Sequence, residues 1–242
     1  MLQKMFKNQD GYKPITGKYF FIHIPKTAGT TFRYLLYNHF NEEQIYPNQS
    51  QLIKNGGGYL TKKEFITQIP SLPENGIFTG HYNWNMTKQF DAKLKTIIFF
   101  REPIARTKSH IKHQHRHHPK LKGLPYSEIL QLTQKKLANL QARQLGFRPK
   151  KKNFKQVLRH LRAIEVIGIT EEFETSINQV NRQFGWQISY DKQMDKNKHP
   201  NKDLYPFTKE DEELIKKINK VDIRLYQRAL KRFKRQLIKN EK

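Results

Sequence analysis

Apolar residues along this chain follow two rhythms. Short, nearly continuous apolar runs at 19–24, 76–81, 95–100 and 164–169 read as strands buried on both faces. Between them apolar residues recur at helical spacing. Phe173, Ile177, Val180 and Phe184 share one side of a helix over 171–184. A last helix opens at Thr208, with Asp211 at the capping-box position. Its apolar face is Leu214, Ile218, Val221, Leu225, Ala229, Phe233 and Leu237. Further helices are expected from strand one to about His39 and over 61–69, capped by Thr61 with Glu64. Others run from Pro103 to just before Pro119, over 126–145 and over about 153–162. Residues 1–17 read as a polar lead-in. Residues 41–58, ending in Gly56-Gly57-Gly58, read as a surface loop, and 187–207 as a flexible polar segment. Strands separated by helices predict an α/β fold with a parallel sheet and right-handed crossovers.

The length suits a single domain over 1–242. Only 36% of residues are hydrophobic and 28% are charged, which predicts a soluble, heavily solvated surface. The net charge of +25 attracts polyanions: nucleic acid, anionic glycans or a multiply charged nucleotide. Lys, Asn, Gln and Ile are abundant throughout, so composition alone also accounts for charge, and charge names no partner. The absence of cysteine excludes disulfides and thiolate ligands. The first ten residues lack the apolar core of a signal peptide. No apolar run approaches the roughly 18 residues a membrane span needs. A cytoplasmic enzyme without a membrane span is the expectation.

The stretch Tyr19-Phe-Phe-Ile-His-Ile-Pro-Lys-Thr-Ala-Gly-Thr-Thr-Phe32 carries the first chemistry. A buried strand enters a tight turn with Lys26 near its start, and Thr30 and Thr31 open a helix. A helix N-terminus offers free N–H groups and a positive dipole end, which suit phosphate or sulfate. A Walker A loop would place its lysine after the last glycine, whereas Lys26 precedes Gly29. The second signal lies in Ile97-Ile-Phe-Phe-Arg-Glu-Pro-Ile-Ala-Arg-Thr-Lys-Ser-His110. There a strand delivers Arg101 to the sheet's carboxyl edge, and Ser109 follows eight residues later in the next helix. Arginine and hydroxyl converging at that edge would clamp a phosphate.

Together these segments resemble sulfotransferases that use 3′-phosphoadenosine 5′-phosphosulfate (PAPS). The wording Ile-Pro-Lys-Thr-Ala-Gly-Thr-Thr is similar to the carbohydrate branch with heparan sulfate 2-O- and uronyl sulfotransferases. The resemblance implies a P-loop-like sheet flanked by helices and PAPS as co-substrate. It implies that Lys26 stabilises the bridging oxygen of the leaving group. Thr27, Gly29, Thr30 and Thr31 would hold the 5′-phosphate, and Arg101 with Ser109 the 3′-phosphate. A histidine after a glycine at a strand end serves as base in that branch, and Gly80-His81 matches it. Asn139-Leu-Gln-Ala-Arg-Gln-Leu145 resembles a family helix near the acceptor or nucleotide, which nominates Gln141 and Arg143 as substrate-binding. A plain amphipathic helix would show the same leucines. Ile167–Ser176 and Asp222–Tyr226 resemble further family elements, and Asn197 and Lys198 lie in a segment that could close over the nucleotide. The similarity runs discontinuously from about 18 to 235. The segment 41–75 matches nothing in the family.

Histidine suits a base near neutral pH, but there are ten, so position must decide. His81 ends a strand at the edge where Lys26 is delivered. His23, inside strand one, reads as structural. His110, His113, His115, His117 and His118 invite a metal site. However, residues 101–122 carry seven Lys/Arg against the single acid Glu102, and that field repels a dication. No metal is expected. The basic stretch 148–162, with seven Lys/Arg and no acid, favours an anionic glycan as the hydroxyl acceptor. The alternatives are a nucleotide or small-molecule kinase of similar fold, which lacks its Walker A loop here, and a polyanion- or nucleic-acid-binding protein. The latter would need a recognition helix or stacking platform, and no specific nucleic acid is expected.

Overall fold

The computed structural model describes residues 14–54, 59–91, 93–191 and 205–239. Five strands, β1 (Lys18–Ile22), β2 (Ile45–Tyr46), β3 (Gly76–Gly80), β4 (Lys95–Phe100) and β5 (Val166–Ile169), form one sheet in the order β2-β3-β1-β4-β5. All neighbours are parallel; β1 pairs Phe20 with Phe78 on one side and with Thr96 on the other. This is the expected α/β fold, a parallel sheet flanked by helices.

The strands bury both faces, and the period of two sorts their side chains between two cores. Phe20, Ile22, Phe78, Ile98 and Phe100 face one layer. That layer is α7 (Phe154–Ala163) and α10 (Lys220–Lys239), through Val157, Leu161, Leu225 and Phe233. Phe21, Ile77, Ile97 and Phe99 face α1 (Gly29–His39) and α8 (Phe173–Phe184), through Phe32, Leu35, Ile177 and Val180. Each such side chain contributes about 1.5–3 kcal/mol when fully buried. A smaller cluster joins α4 (Pro103–His117), α5 (Tyr126–Leu137) and α9 (Lys209–Ile218) beside the sheet.

Both expected capping boxes are present, at Thr61/Glu64 before α3 (Lys62–Gln68) and at Thr208/Asp211 before α9. Two expected helices are each broken. The 126–145 helix stops after α5 and resumes as α6 (Leu140–Gln144), with Asn139 left-handed at φ 48°. The C-terminal helix breaks at Asn219, between α9 and α10. The two breaks hold each other. The Asn139 N–H donates to Asn219 Oδ1 at 3.1 Å, and Asn139 Oδ1 accepts from the Val221 N–H at 2.9 Å. The apolar spacing runs through both breaks, so periodicity could not reveal them. The 41–58 segment, expected as loop, contains β2 and the short helix α2 (Gln49–Lys54). Gly56–Gly58 lie outside the described residues. So do 1–13 of the expected lead-in and 192–204 of the expected flexible segment, Asn197 and Lys198 included.

Candidate active site

The carboxyl edge of the sheet opens into a cleft of 1210 Å³. Lys26, Gly29, Thr30, Thr31, His81, Arg101 and Ser109 all line it. Residues that follow three different strands are thus brought to one place by the parallel topology.

The first wall follows β1. Lys26 and Ala28 both adopt positive φ, 71° and 63°, which L-residues reach only with strain. Thr27 sits fully buried between them, and its hydroxyl donates to the Ile24 carbonyl at 2.9 Å. The Thr27 side chain ties down the turn, and Thr27, expected to hold the 5′-phosphate, lines no part of the cleft. Ala28 is the N-cap of α1 and has no side-chain acceptor for the helix's first N–H groups. Those donors and the dipole are left for an anion. Gly29 is required by a close approach. A Cβ there would lie 2.0 Å from the His23 ring, which packs under the helix start.

Lys26 is a shielded cation among other cations. Burial, then the nearby Arg116 and Arg101 charges, pull its pKa down to about 8. Arg101 reaches back to the loop, with Nη1 donating to the Lys26 carbonyl at 3.3 Å. Ser109 faces the same cleft from the helix that Glu102 caps through the Ile104 and Ala105 N–H groups.

His81 follows β3. A backbone carbonyl can only accept, so the 2.9 Å contact from His81 Nδ1 to the His23 oxygen is a donation from Nδ1–H. In the neutral ring Nε2 is then the bare nitrogen. The surrounding protein lowers the His81 pKa, chiefly by desolvation, against the opposing hydrogen bond to His23 and helped by Arg33. The His23 ring lies 4.5 Å from that of His81, and its Nδ1 is 2.6 Å from the Tyr59 hydroxyl. Burial, His81, Arg33 and Lys26 hold the His23 pKa well below the usual value. Arg33 stands 5.0 Å over the Tyr59 ring. Strand one's histidine, read from sequence as structural, is therefore the partner that orients His81.

Gln141 and Arg143 line no part of this cleft. Gln141 is fully buried and grips the Arg101 peptide. Its Oε1 accepts from the Arg101 N–H at 3.0 Å and its Nε2 donates to the Arg101 carbonyl at 2.8 Å. It places the arginine rather than meeting a ligand. Arg143 donates to the Lys136 carbonyl.

Three residues have surroundings that the sequence reading did not assign to them. Asp222 is wholly buried and accepts from the Gln141 and Ala142 N–H groups at 3.0 and 2.7 Å, fixing α6 and through it Gln141. Burial pushes its carboxyl up to about 6, against the pull of Arg106 and those two donors. The signal was an acid on the apolar face of the last helix. His110 lines the cleft, and burial with Arg106, His113, Lys26 and His81 drives its pKa down to about 3. Glu171, also in the lining, accepts from the Glu102 N–H and from the Tyr226 hydroxyl. Among the described residues no group of three or more His, Cys, Asp or Glu could hold a metal ion, and no helix is long and apolar enough to cross a membrane.

No family model matches the chain, and no curated protein matches it. Among solved structures it is similar to the crystal structure of mouse sulfotransferase SULT7A1 complexed with PAP. The TM-score is 0.46 and the identity 16%, over 74% of this chain and 61% of that one. It is also similar to the sulfotransferase from Alicyclobacillus acidocaldarius, at TM-score 0.44 and 17% identity, over 77% of this chain and 88% of that one. The chain thus spans 61% of the length of the mouse structure it matches.

Proposed function

We propose that this chain is a PAPS-dependent sulfotransferase that moves a sulfuryl group to a carbohydrate hydroxyl, leaving adenosine 3′,5′-bisphosphate. The observation that carries this reading is the single cleft. It gathers an uncapped helix N-terminus, Lys26, Arg101, Ser109 and His81 at one sheet edge.

The cleft fits the nucleotide by size and by donor set. The N–H groups of Gly29, Thr30 and Thr31, with the Thr30 and Thr31 hydroxyls, would hold the 5′-phosphate. Arg101 and Ser109 would hold the 3′-phosphate as a charged fork beside a neutral donor. His81 Nε2 takes the proton of the attacking hydroxyl, while Nδ1 stays bonded to the His23 carbonyl. Lys26 meets the negative charge that develops on the oxygen released from sulfur. Its strained backbone fixes it there before any ligand arrives. The preference for a carbohydrate rests on the wording of the Lys26 loop and on the basic run at 148–162.

Incubation with sulfur-labelled PAPS and a panel of neutral and acidic polysaccharides tests the reading. Label should pass to a polysaccharide with one adenosine 3′,5′-bisphosphate formed per sulfate. Phosphoryl transfer from ATP–magnesium without any sulfate transfer would overturn it.

A further inference from the structure

A second pocket, of 290 Å³, lies outside the nucleotide cleft. Its lining is Asn85, Lys88, Gly146, Arg148, Lys151, Asn153 and Gln156, so it contains three cations and two amides beside Asn153. Among the described residues no carboxylate and no aromatic ring lines it.

The pocket is built rather than accidental. The Asn153 side chain holds one wall together, with Oδ1 accepting from the Arg148 N–H at 2.8 Å and Nδ2 donating to the Gly146 carbonyl at 3.0 Å. The Lys152 backbone is left-handed at φ 44°, which turns the chain from the Arg148–Lys151 loop into α7. The other wall is the 3-10 turn Trp84–Gln89. It is pinned to α7 by Trp84 stacking on His160, with ring centroids 5.0 Å apart and planes 15° from parallel.

Topology puts this pocket on the same edge of the sheet as the base. The 3-10 turn follows directly from the carboxyl end of β3 through His81. The four residues from His81 to Asn85 span about 14 Å at most. The α7 helix leads into the amino end of β5, so its own N-terminus, where Lys151 and Asn153 sit, returns to the sheet's carboxyl edge.

We propose that this pocket is an anion subsite of the acceptor. It takes a sulfate or carboxylate of an acidic glycan, another sugar of which presents its hydroxyl to His81 Nε2. This rests on the sulfotransferase reading of the main cleft. Charge explains anion capture. No aromatic ring lines the pocket and one face of Trp84 is covered by His160, which disfavours single-stranded nucleic acid with its need for stacking platforms. The exposed cations of α7, Lys155 and Arg159, extend the positive surface away from the pocket along the same helix.

The test is titration of the full chain with size-matched sulfated, carboxylated and neutral oligosaccharides, and with a single-stranded oligonucleotide of equal charge. The variant K88A/R148A/K151A is compared with K231A/K234A/R235A, which removes the same charge from exposed positions on α10. Adenosine 3′,5′-bisphosphate is titrated into each as the check on the nucleotide cleft, and K88Q alone serves as the mild variant. The subsite predicts that K88A/R148A/K151A loses roughly tenfold in affinity for one acidic oligosaccharide, three exposed ion pairs' worth. The α10 variant should change little and the nucleotide should bind both alike. Equal losses in both variants would reduce the pocket to non-specific charge and overturn the proposal. So would tighter oligonucleotide binding lost in the same variant, or no loss at all. Loss of the glycan alone, in a protein that never binds the nucleotide, would overturn the sulfotransferase reading instead and leave the pocket an anion site.

Discussion

His81 donates from Nδ1 to the backbone oxygen of His23, 2.9 Å away, across two neighbouring strands. That bond fixes the imidazole's tautomer from a strand end whose position β1–β3 pairing already sets. The consequence is a pH profile. Its rising limb should lie below the ordinary histidine value of 6.5, because the base must be neutral and desolvation lowers its pKa. The His81→Ala variant should lose this limb, with kcat down about 10²–10⁴-fold and nucleotide affinity nearly unchanged. Initial rates of transfer between pH 5 and 7 check it.

Lys26 supplies the opposite limb. In the free enzyme its cation is lost as pH rises through about 8, so kcat/KM should fall above that point. The falling limb of kcat should lie higher, since a bound polyanion favours the charged form. Its left-handed backbone also separates function from stability. Glycine tolerates φ 71° without strain. Lys26→Gly should therefore match or exceed the wild type in thermal denaturation while losing about 10²–10³-fold in kcat. A destabilised Lys26→Gly protein would contradict the strain assigned to this turn.

On the proposed function, Gln141 would act on nucleotide binding through Arg101, whose backbone it holds. In Gln141→Leu the half-buried N–H and C=O of Arg101 lose their partners, which costs up to about 1–3 kcal/mol for each group left unsatisfied. Unfolding in urea should show this loss. The variant should also bind adenosine 3′,5′-bisphosphate more weakly, while adenosine 5′-phosphate, which lacks the group Arg101 would hold, should bind as before.

The Gly29→Ala exchange sets two effects against each other. Alanine favours a helix by about 1 kcal/mol over glycine. Against that, its Cβ would lie 2.0 Å from the His23 ring, and overpacking of that kind costs about 1–3 kcal/mol. The steric term should win. Tm should fall, and the displaced His23 should loosen His81 and lower kcat as well. An unchanged Tm with normal activity would show that the ring moves aside freely.

Much of this was legible in the chain. The apolar runs specified four strands, because a strand buried on both faces leaves few polar positions, here Thr79 and Thr96, to interrupt it. Lys26, Gly29, Arg101 and His81 were named by their place at a strand end or helix start, and Ser109 by its spacing of eight from Arg101; the fold brings them to one cleft. Less legible were interactions that depend on long-range docking. Two-residue β2 carries no periodic signal. The bonds from Asn139 to Asn219 and to Val221 join segments 80 and 82 residues apart. Gln141 was nominated as substrate-binding by the resemblance of Asn139–Leu145 to a family helix, and such a motif does not say which partner its side chain meets. Its partner is the Arg101 backbone.

The central claim is a cleft made for a nucleotide with a 3′-phosphate. Calorimetric titration with adenosine 3′,5′-bisphosphate, beside adenosine 5′-phosphate and ATP–magnesium, tests it most directly in the wild type and in Arg101→Ala. The account predicts tight binding that requires the 3′-phosphate and weakens by roughly 10- to 100-fold in the variant, as loss of a charge-assisted contact implies. Equal binding of all three nucleotides, a preference for ATP–magnesium, or indifference to Arg101 would contradict it.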